Sequence, residues 1–240
     1  AEQAEQGERQ LQLWAQLGEQ ALHDLLHKLQ GSPWTHLASR EDIEGYMAQV
    51  ATPPTDGSAE ERLDYCVKAE TIFAIEPEAV AAAYLDVSNR HIWHTNCTDS
   101  RLVEELWPAT MSIACFTYRA ELPVYPRGYC ALVHRANHVL PDQTVQIVIV
   151  DRSVTHPAVP PSPNVIFMDV FPSGLVITPI KLPTGETHSK VVLVAHFDLK
   201  GTISSQLLER VQANAMLENC CFKYLAEFKK HLSGVPTATA

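Results

Sequence analysis

Three things are scarce in this chain, and each scarcity removes a class of function. Long apolar runs are missing: no stretch of the 240 residues approaches the ~18 consecutive apolar residues of a membrane-spanning helix. Clustered positive charge is missing too. Eighteen Lys and Arg stand against 28 Asp and Glu, a net charge of −10, with no basic run. Nucleic acid is therefore not expected as a partner, and strong attraction to an anionic bilayer is disfavoured. A brief hydrophobic membrane contact stays open. The third scarcity is cysteine pattern. Cys66, Cys97, Cys115, Cys130, Cys220 and Cys221 include no Cys-x-x-Cys, and three lie inside apolar strand-like runs. That reads as buried free thiols in a reducing, cytoplasmic setting. A nucleophile elbow, a phosphate-binding glycine loop and His-Glu-x-x-His are also missing. No catalytic residue, metal or cofactor is expected.

What is present organises the chain as one large domain. Hydrophobic residues make up 46% of it, enough for a sizeable core and an internal cavity besides. Residues 9–30 read as an amphipathic helix, with Leu11, Trp14, Leu17, Ala21, Leu25 and Leu29 at spacings of three and four. Gly31 and Pro33 stop it. Residues 1–30 thus lead into, or form part of, a domain over 31–232, with a tail over 233–240. The polar start at Ala1-Glu2-Gln3 reads as a module within a longer protein, monomeric as a domain. Strands are expected at 34–39, 43–50 and 63–75, a short helix at 77–85 with Pro in its first turn, and irregular chain over 88–99. Further strands are expected at 102–107, 111–118, 129–134, 145–151, 165–170, 175–180 and 191–198. Their connections are too short for crossover helices, so the sheet should be antiparallel. Pro183-Thr184-Gly185 marks one hairpin. Asn96-Cys97-Thr98 has the form of a glycosylation acceptor, a triplet common by chance.

One long helix, Ser204 to Leu232, should close the chain, capped by Ser204 and ended by Gly234 and Pro236. Its stripe includes Leu207, Leu208, Val211, Ala215, Cys221, Phe222, Leu225 and Phe228. Laid across a curved sheet, such a stripe buries both surfaces. Its middle is small or slender at Ala213, Ala215, Cys220 and Cys221, which leaves room for a ligand, although such residues also occur in close-packed cores.

The second half carries a more specific pattern: Val150-Asp151-Arg152-Ser153-Val154-Thr155-His156-Pro157, then Pro160-Pro161 and Ile177-Thr178-Pro179. His196-Phe197-Asp198-Leu199-Lys200-Gly201 precedes the last helix, and upstream Arg90-His91-Ile92-Trp93 is followed by Val103-Glu104-Glu105-Leu106. In this order, over residues 34–232, the chain resembles the StAR-related lipid-transfer (START) domains. The resemblance implies an α+β helix-grip fold. A curved antiparallel sheet, with an N-terminal helix, is gripped by the long C-terminal helix around a hydrophobic cavity for one lipid. Sterols, phospholipids and ceramide are the ligand classes it brings.

Departures bear on ligand choice. Many members carry a carboxylate directly after the tryptophan; here it is His94. The usual Arg-Asp is Arg127-Gly128, and positions commonly charged fall at Val133, Phe167 and Thr178. His94 and Cys115 replace features that hold a ceramide head in that branch, which argues against ceramide, while Val133 and Phe167 in place of usual charges point to a sterol-like or other lipid with a small polar head. Arg90, Trp93, His94, Cys115 and Asp151 are candidate ligand contacts, with Val133, Phe167 and Leu193 on the strands. Leu208, Val211 and Ala215 are candidates on the helix. A His94–Asp151 contact inside the cavity is set against the plainer reading of a loop His and a strand-end Asp. Leu122, Val124 and Tyr125 in a Pro-bounded loop, with Ile203, are candidate membrane contacts near the tunnel mouth; otherwise they fold back on the sheet. The leading function is a non-enzymatic carrier of one lipid per chain, in transient contact with membranes. A lipid-sensing module of a larger protein is the runner-up. An enzyme is third, since helix-grip relatives include cyclases.

Overall fold

Helix α1 runs from Glu2 to Gly31 in a computed structural model that describes residues 2–52, 62–119, 126–200 and 217–234. It starts earlier than the apolar periodicity suggested, because its first turns are built from good helix formers, Glu, Gln and Ala, without an apolar face. Strands β1 (Thr35–Arg40), β2 (Ile43–Thr52) and β3 (Arg62–Phe73) follow. Helix α2 (Pro77–Leu85) has Pro in its first turn, where the missing N–H costs nothing. The segment expected to be irregular contains a 3₁₀ turn (Val87–Asn89) and a one-turn helix, α3 (Arg90–Trp93). Then come β4 (Cys97–Trp107), β5 (Met111–Tyr118), β6 (Arg127–Val139), β7 (Val145–Ser153), β8 (Ile166–Phe167), β9 (Asp169–Val170), β10 (Ser173–Lys181), β11 (Thr187–Ala195) and β12 (Phe197–Asp198). A π-helical turn (Leu217–Phe222) leads into the C-terminal helix (Lys223–Leu232).

The main sheet has the order β1-β2-β3-β11-β10-β7-β6-β5-β4, antiparallel throughout. It is open, with β1 and β4 at its edges. β8 lies parallel to β6, an exception to the expected pattern, and β9 pairs with β12 separately. The strand expected over 191–198 breaks at His196, whose backbone N–H donates to Ser173 Oγ (2.9 Å) instead of continuing the ladder. The hairpin at 183–185 is present, closed by Leu182 N–H to Glu186 O (2.8 Å), with Gly185 at φ 89°.

Alternation along the strands separates two faces. The outer face is covered by α1: Ala21 and Leu25 pack with Ala48, Cys66, Val148, Val150, Val176 and Val194. The inner face is covered by α2, α3 and the C-terminal helix. There Val80, Tyr84, Trp93, Leu217, Phe222, Tyr224, Leu225 and Phe228 meet Val67, Ala69, Phe116, Val133, Ile149, Leu175 and Leu193. Each large apolar side chain buried in this way contributes roughly 1.5–3 kcal/mol. Gly45 on β2 lets the closing segment approach: a Cβ there would sit 2.5 Å from Phe222 and 2.9 Å from Leu217. Gly234, at φ 67°, ends the C-terminal helix as expected. The expected cap at Ser204, and Leu207, Leu208, Val211 and Ala215, lie outside the described residues.

Candidate functional site

A buried pair of opposite charges, Arg90 and Asp151, enters the largely apolar inner face. Arg90, 2% exposed, points from α3 into the core. Its guanidinium lies 4.3 Å from the Phe116 ring centroid and 4.7 Å from that of Tyr84, a double cation–π contact. Arg90 Nη2 donates to the Tyr84 carbonyl (3.3 Å), and Nη1 is 3.9 Å from Asp151 Oδ2. The Tyr84 hydroxyl donates to that same carboxylate oxygen (2.8 Å). Asp151, 4% exposed, shares the inner face with Ile147 and Ile149 and stands directly opposite Val133 on β6. Burial pushes its carboxyl above the usual range, and Arg90 and the Tyr84 hydroxyl offset this only in part. Tyr118 and Tyr129, stacked at 5.9 Å with hydroxyls 3.4 Å apart, line the same neighbourhood. Burial raises the Tyr118 phenol to about 12 and Tyr84 and Tyr129 well above their ordinary value, so all three are neutral at physiological pH.

Arg90 Nε, Asp151 Oδ1 and Tyr224 Oη are buried without a hydrogen-bond partner among the described residues. Buried polar atoms are nearly always paired. Three such atoms on a largely apolar face mark a place suited to a polar ligand group.

The C-terminal helix is tied to this region by rings and by a carboxylate. Trp93 contacts Phe228 (4.9 Å), Tyr224 (5.1 Å) and His231 (5.8 Å between centroids). Glu227 Oε2 is 2.8 Å from His94 Nδ1 and accepts the Thr95 N–H (3.0 Å), while Oε1 accepts the Thr95 hydroxyl (2.6 Å). Lys223 Nζ donates to Asn96 Oδ1 (2.8 Å). Burial works to raise the Glu227 pKa, but the hydrogen bonds from His94 and Thr95 overcome it and hold it low. Burial lowers that of His94, against the pull of Glu227.

The structure brings Arg90, Trp93, Asp151, Val133 and Leu193 to the inner face. His94 is buried beside Trp93 and Tyr224, but the anticipated His94–Asp151 contact is replaced: His94 pairs with Glu227, and Asp151 with Tyr84 and Arg90. Cys115 and Phe167 are not at this site. Both pack in the outer cluster with Ile113, Cys130, Leu132, Trp14 and Leu17, because Cys115 alternates with the inward Ala114 and Phe116. Leu208, Val211 and Ala215, and Leu122, Val124, Tyr125 and Ile203, lie outside the described residues. His196 is buried away from the inner cluster; its Nε2 is 3.1 Å from Thr52 Oγ1 and its Nδ1 3.1 Å from Lys28 Nζ, joining α1 to the end of β11. All six cysteines are free thiols. A groove of about 540 Å³ on the outer side runs between Leu11 and Trp14 of α1, Leu106, and His156, which contacts Glu104 at 2.9 Å; it does not reach the inner cluster.

Sequence reasoning missed Tyr84, Tyr118, Tyr129, Tyr224 and Glu227. The available signal was the crowding of neutral polar aromatics in segments that otherwise read as core. Among the described residues no group of three His, Cys, Asp or Glu is placed to hold a metal, and no helix is long and apolar enough to cross a membrane.

The START domain family model matches residues 18–233. Human StAR-related lipid transfer protein 5 is similar in structure, with a TM-score of 0.72 at 17% identity over 92% of this chain and 97% of that one. Human STARD10 gives 0.65 at 15% identity, covering 89% and 80%. The lipid transfer and protein localization domain of human StarD13 (DLC2) gives 0.60 at 20% identity, covering 90% and 96%. These likenesses establish the helix-grip fold. No curated protein sequence matches the chain.

Proposed function

The chain belongs to the START domain family, and on that footing we propose that it binds one lipid per chain between its inner sheet face and the C-terminal helix. The lipid has a small polar head, and the protein carries it between membranes without chemically altering it. The observation that carries this reading is the set of three buried polar atoms around Arg90 and Asp151 that have no partner among the described residues, on a largely apolar face. An apolar interior with a few convergent polar groups suits a ligand that is mostly hydrocarbon. Arg90 and Asp151 are the head-group residues. Val133 and Leu193, with Leu208, Val211 and Ala215, contact the hydrocarbon. Trp93 and His94 hold the C-terminal helix in place. Leu122, Val124, Tyr125 and Ile203 make the transient bilayer contact. The domain acts as a monomer in the cytoplasm and spans residues 31–232, with α1 packed on its outer face. Six free thiols suit that reducing setting.

Native mass spectrometry of the purified protein, followed by lipid extraction, tests the binding. The expected result is one retained lipid per chain; a protein that retains none from a total lipid extract refutes it. Vesicle-to-vesicle transfer then separates a carrier from a sensor. The sensor reading draws on the Trp93 and Glu227 contacts, which place the C-terminal helix against the same residues. Turnover of any bound lipid would move the protein to the enzymes.

A further inference from the structure

We infer that Tyr224 on the C-terminal helix completes a three-point polar site with Arg90 and Asp151, and that this site is built for one neutral hydroxyl. The inference rests on the lipid-binding reading and adds the ligand's head chemistry and a contact from the closing helix.

The three groups share one neighbourhood. Arg90 Cζ is 6.0 Å from the Tyr224 ring centroid, and Arg90 Nη1 is 3.9 Å from Asp151 Oδ2. Tyr84, bonded to Asp151, has its ring 6.3 Å from that of Tyr224. All three side chains are more than nine-tenths buried, at 2%, 4% and 6% exposure, and each keeps a polar atom with no partner among the described residues. Their valences decide the ligand. Arg90 Nε offers one donor and nothing else; Asp151 Oδ1 offers an acceptor; Tyr224 Oη offers a donor or an acceptor. A ligand hydroxyl donates once and accepts twice. It can give its proton to Asp151 Oδ1 and accept from Arg90 Nε–H and Tyr224 Oη–H, so one hydroxyl matches the three atoms in hydrogen-bonding capacity.

Other heads fail on the same count. A ketone or an ether accepts from the two donors and leaves Asp151 Oδ1 without a proton to bond. A phosphate sets acceptors against that carboxylate, in a site where Arg90 is already opposed by Asp151. Burial has raised the Asp151 carboxyl, which an added anion would aggravate. Because Tyr224 belongs to the helix and Arg90 and Asp151 to α3 and the sheet, a bound hydroxyl also bridges the closing helix to the rest of the fold.

The test uses Y224F and two fluorescent probe sets. One is a sterol with a free hydroxyl, its methyl ether and its ketone; the other is a diacylglycerol and its methyl ether. Wild type is expected to prefer a free-hydroxyl probe over its capped partners, and Y224F to lose about tenfold in affinity for that probe only, the scale of one buried hydrogen bond. Ligand-free Y224F is expected to melt with or above wild type, since the hydroxyl has no partner to lose among the described residues, and to show a smaller ligand-induced rise in melting temperature.

An unchanged hydroxyl-to-ether ratio in Y224F overturns the inference while lipid binding stands. So does a wild type that binds neither free-hydroxyl probe but retains another lipid. A Y224F protein that melts lower or fails to fold assigns the hydroxyl a structural partner and also overturns it. A wild type that retains no lipid at all defeats the functional reading as well.

Discussion

The two faces of the sheet are made from the same strands and buried to similar depth, yet they solve different problems. The outer face is closed by α1 through an apolar seam in which Leu25 and Cys66 are fully buried and Val148, Val150, Val176 and Val194 nearly so. The inner face spends comparable burial on Arg90, Asp151 and four tyrosines. A buried ion pair is a poor way to stabilise a fold, because desolvation cancels most of its attraction. The outer face therefore shows what this sheet needs to be stable, and the inner face shows what it needs for something else.

The largest effect should come from splitting the inner pair. Arg90→Met or Asp151→Leu alone leaves a buried charge unopposed and should cost about 3–5 kcal/mol in denaturant unfolding. The double variant should recover most of that stability. If it stays as unstable as either single variant, the pair is structural and the contrast between the faces collapses.

Next is the outer face. Leu25→Ala removes a fully buried side chain and should cost about 3 kcal/mol by cavity formation, with lipid affinity unchanged. A matching loss of affinity would mean that the faces are not independent. Glu227→Gln, on the inner side, keeps the shape of the carboxylate but weakens its three hydrogen bonds to His94 and Thr95. It should cost about 1–2 kcal/mol at pH 7, seen as a lower melting temperature.

The smallest effect concerns pH. Burial lowers His94 from its ordinary value of 6.5, so the unfolded chain takes up this proton before the folded one does. The contribution of neutral His94 is full above pH 6.5 and is lost as pH falls from there to the lower folded value. His94→Asn should flatten that part of the stability–pH curve. An unchanged slope would assign the limb to other histidines.

The comparison also explains what could be read in the sequence. The antiparallel sheet, α2, the 183–185 hairpin and Gly234 as a helix stop were legible because each has a local cause: alternation, Pro in a first turn, or glycine at positive φ. β4 starts earlier and β6 runs at both ends beyond the expected bounds, since Cys97–Arg101 and Arg135–Val139 are held by partner strands despite polar side chains. Arg90, Trp93 and Asp151 were singled out through the START resemblance, and the structure buries all three on the inner side. Cys115 entered through the same resemblance but packs on the outer face; the stretch 113–116 is buried on both sides, so no alternation shows which way its side chain points. Tyr224 and Glu227 were invisible as site residues: in a helical stripe, an aromatic reads as core and a glutamate as solvated face. The packing of Trp93 against Tyr224 and Phe228, with Glu227 held by His94 and Thr95, turns that stretch of helix towards Arg90.

The most direct test of the account is lipid retention by the Arg90→Met/Asp151→Leu double variant, measured by native mass spectrometry beside wild type after identical loading from vesicles. The account predicts a folded double variant, with one lipid retained per wild-type chain and little or none in the variant. Equal occupancy in the two proteins would contradict it, and would reduce the buried polar pair to a feature of the core.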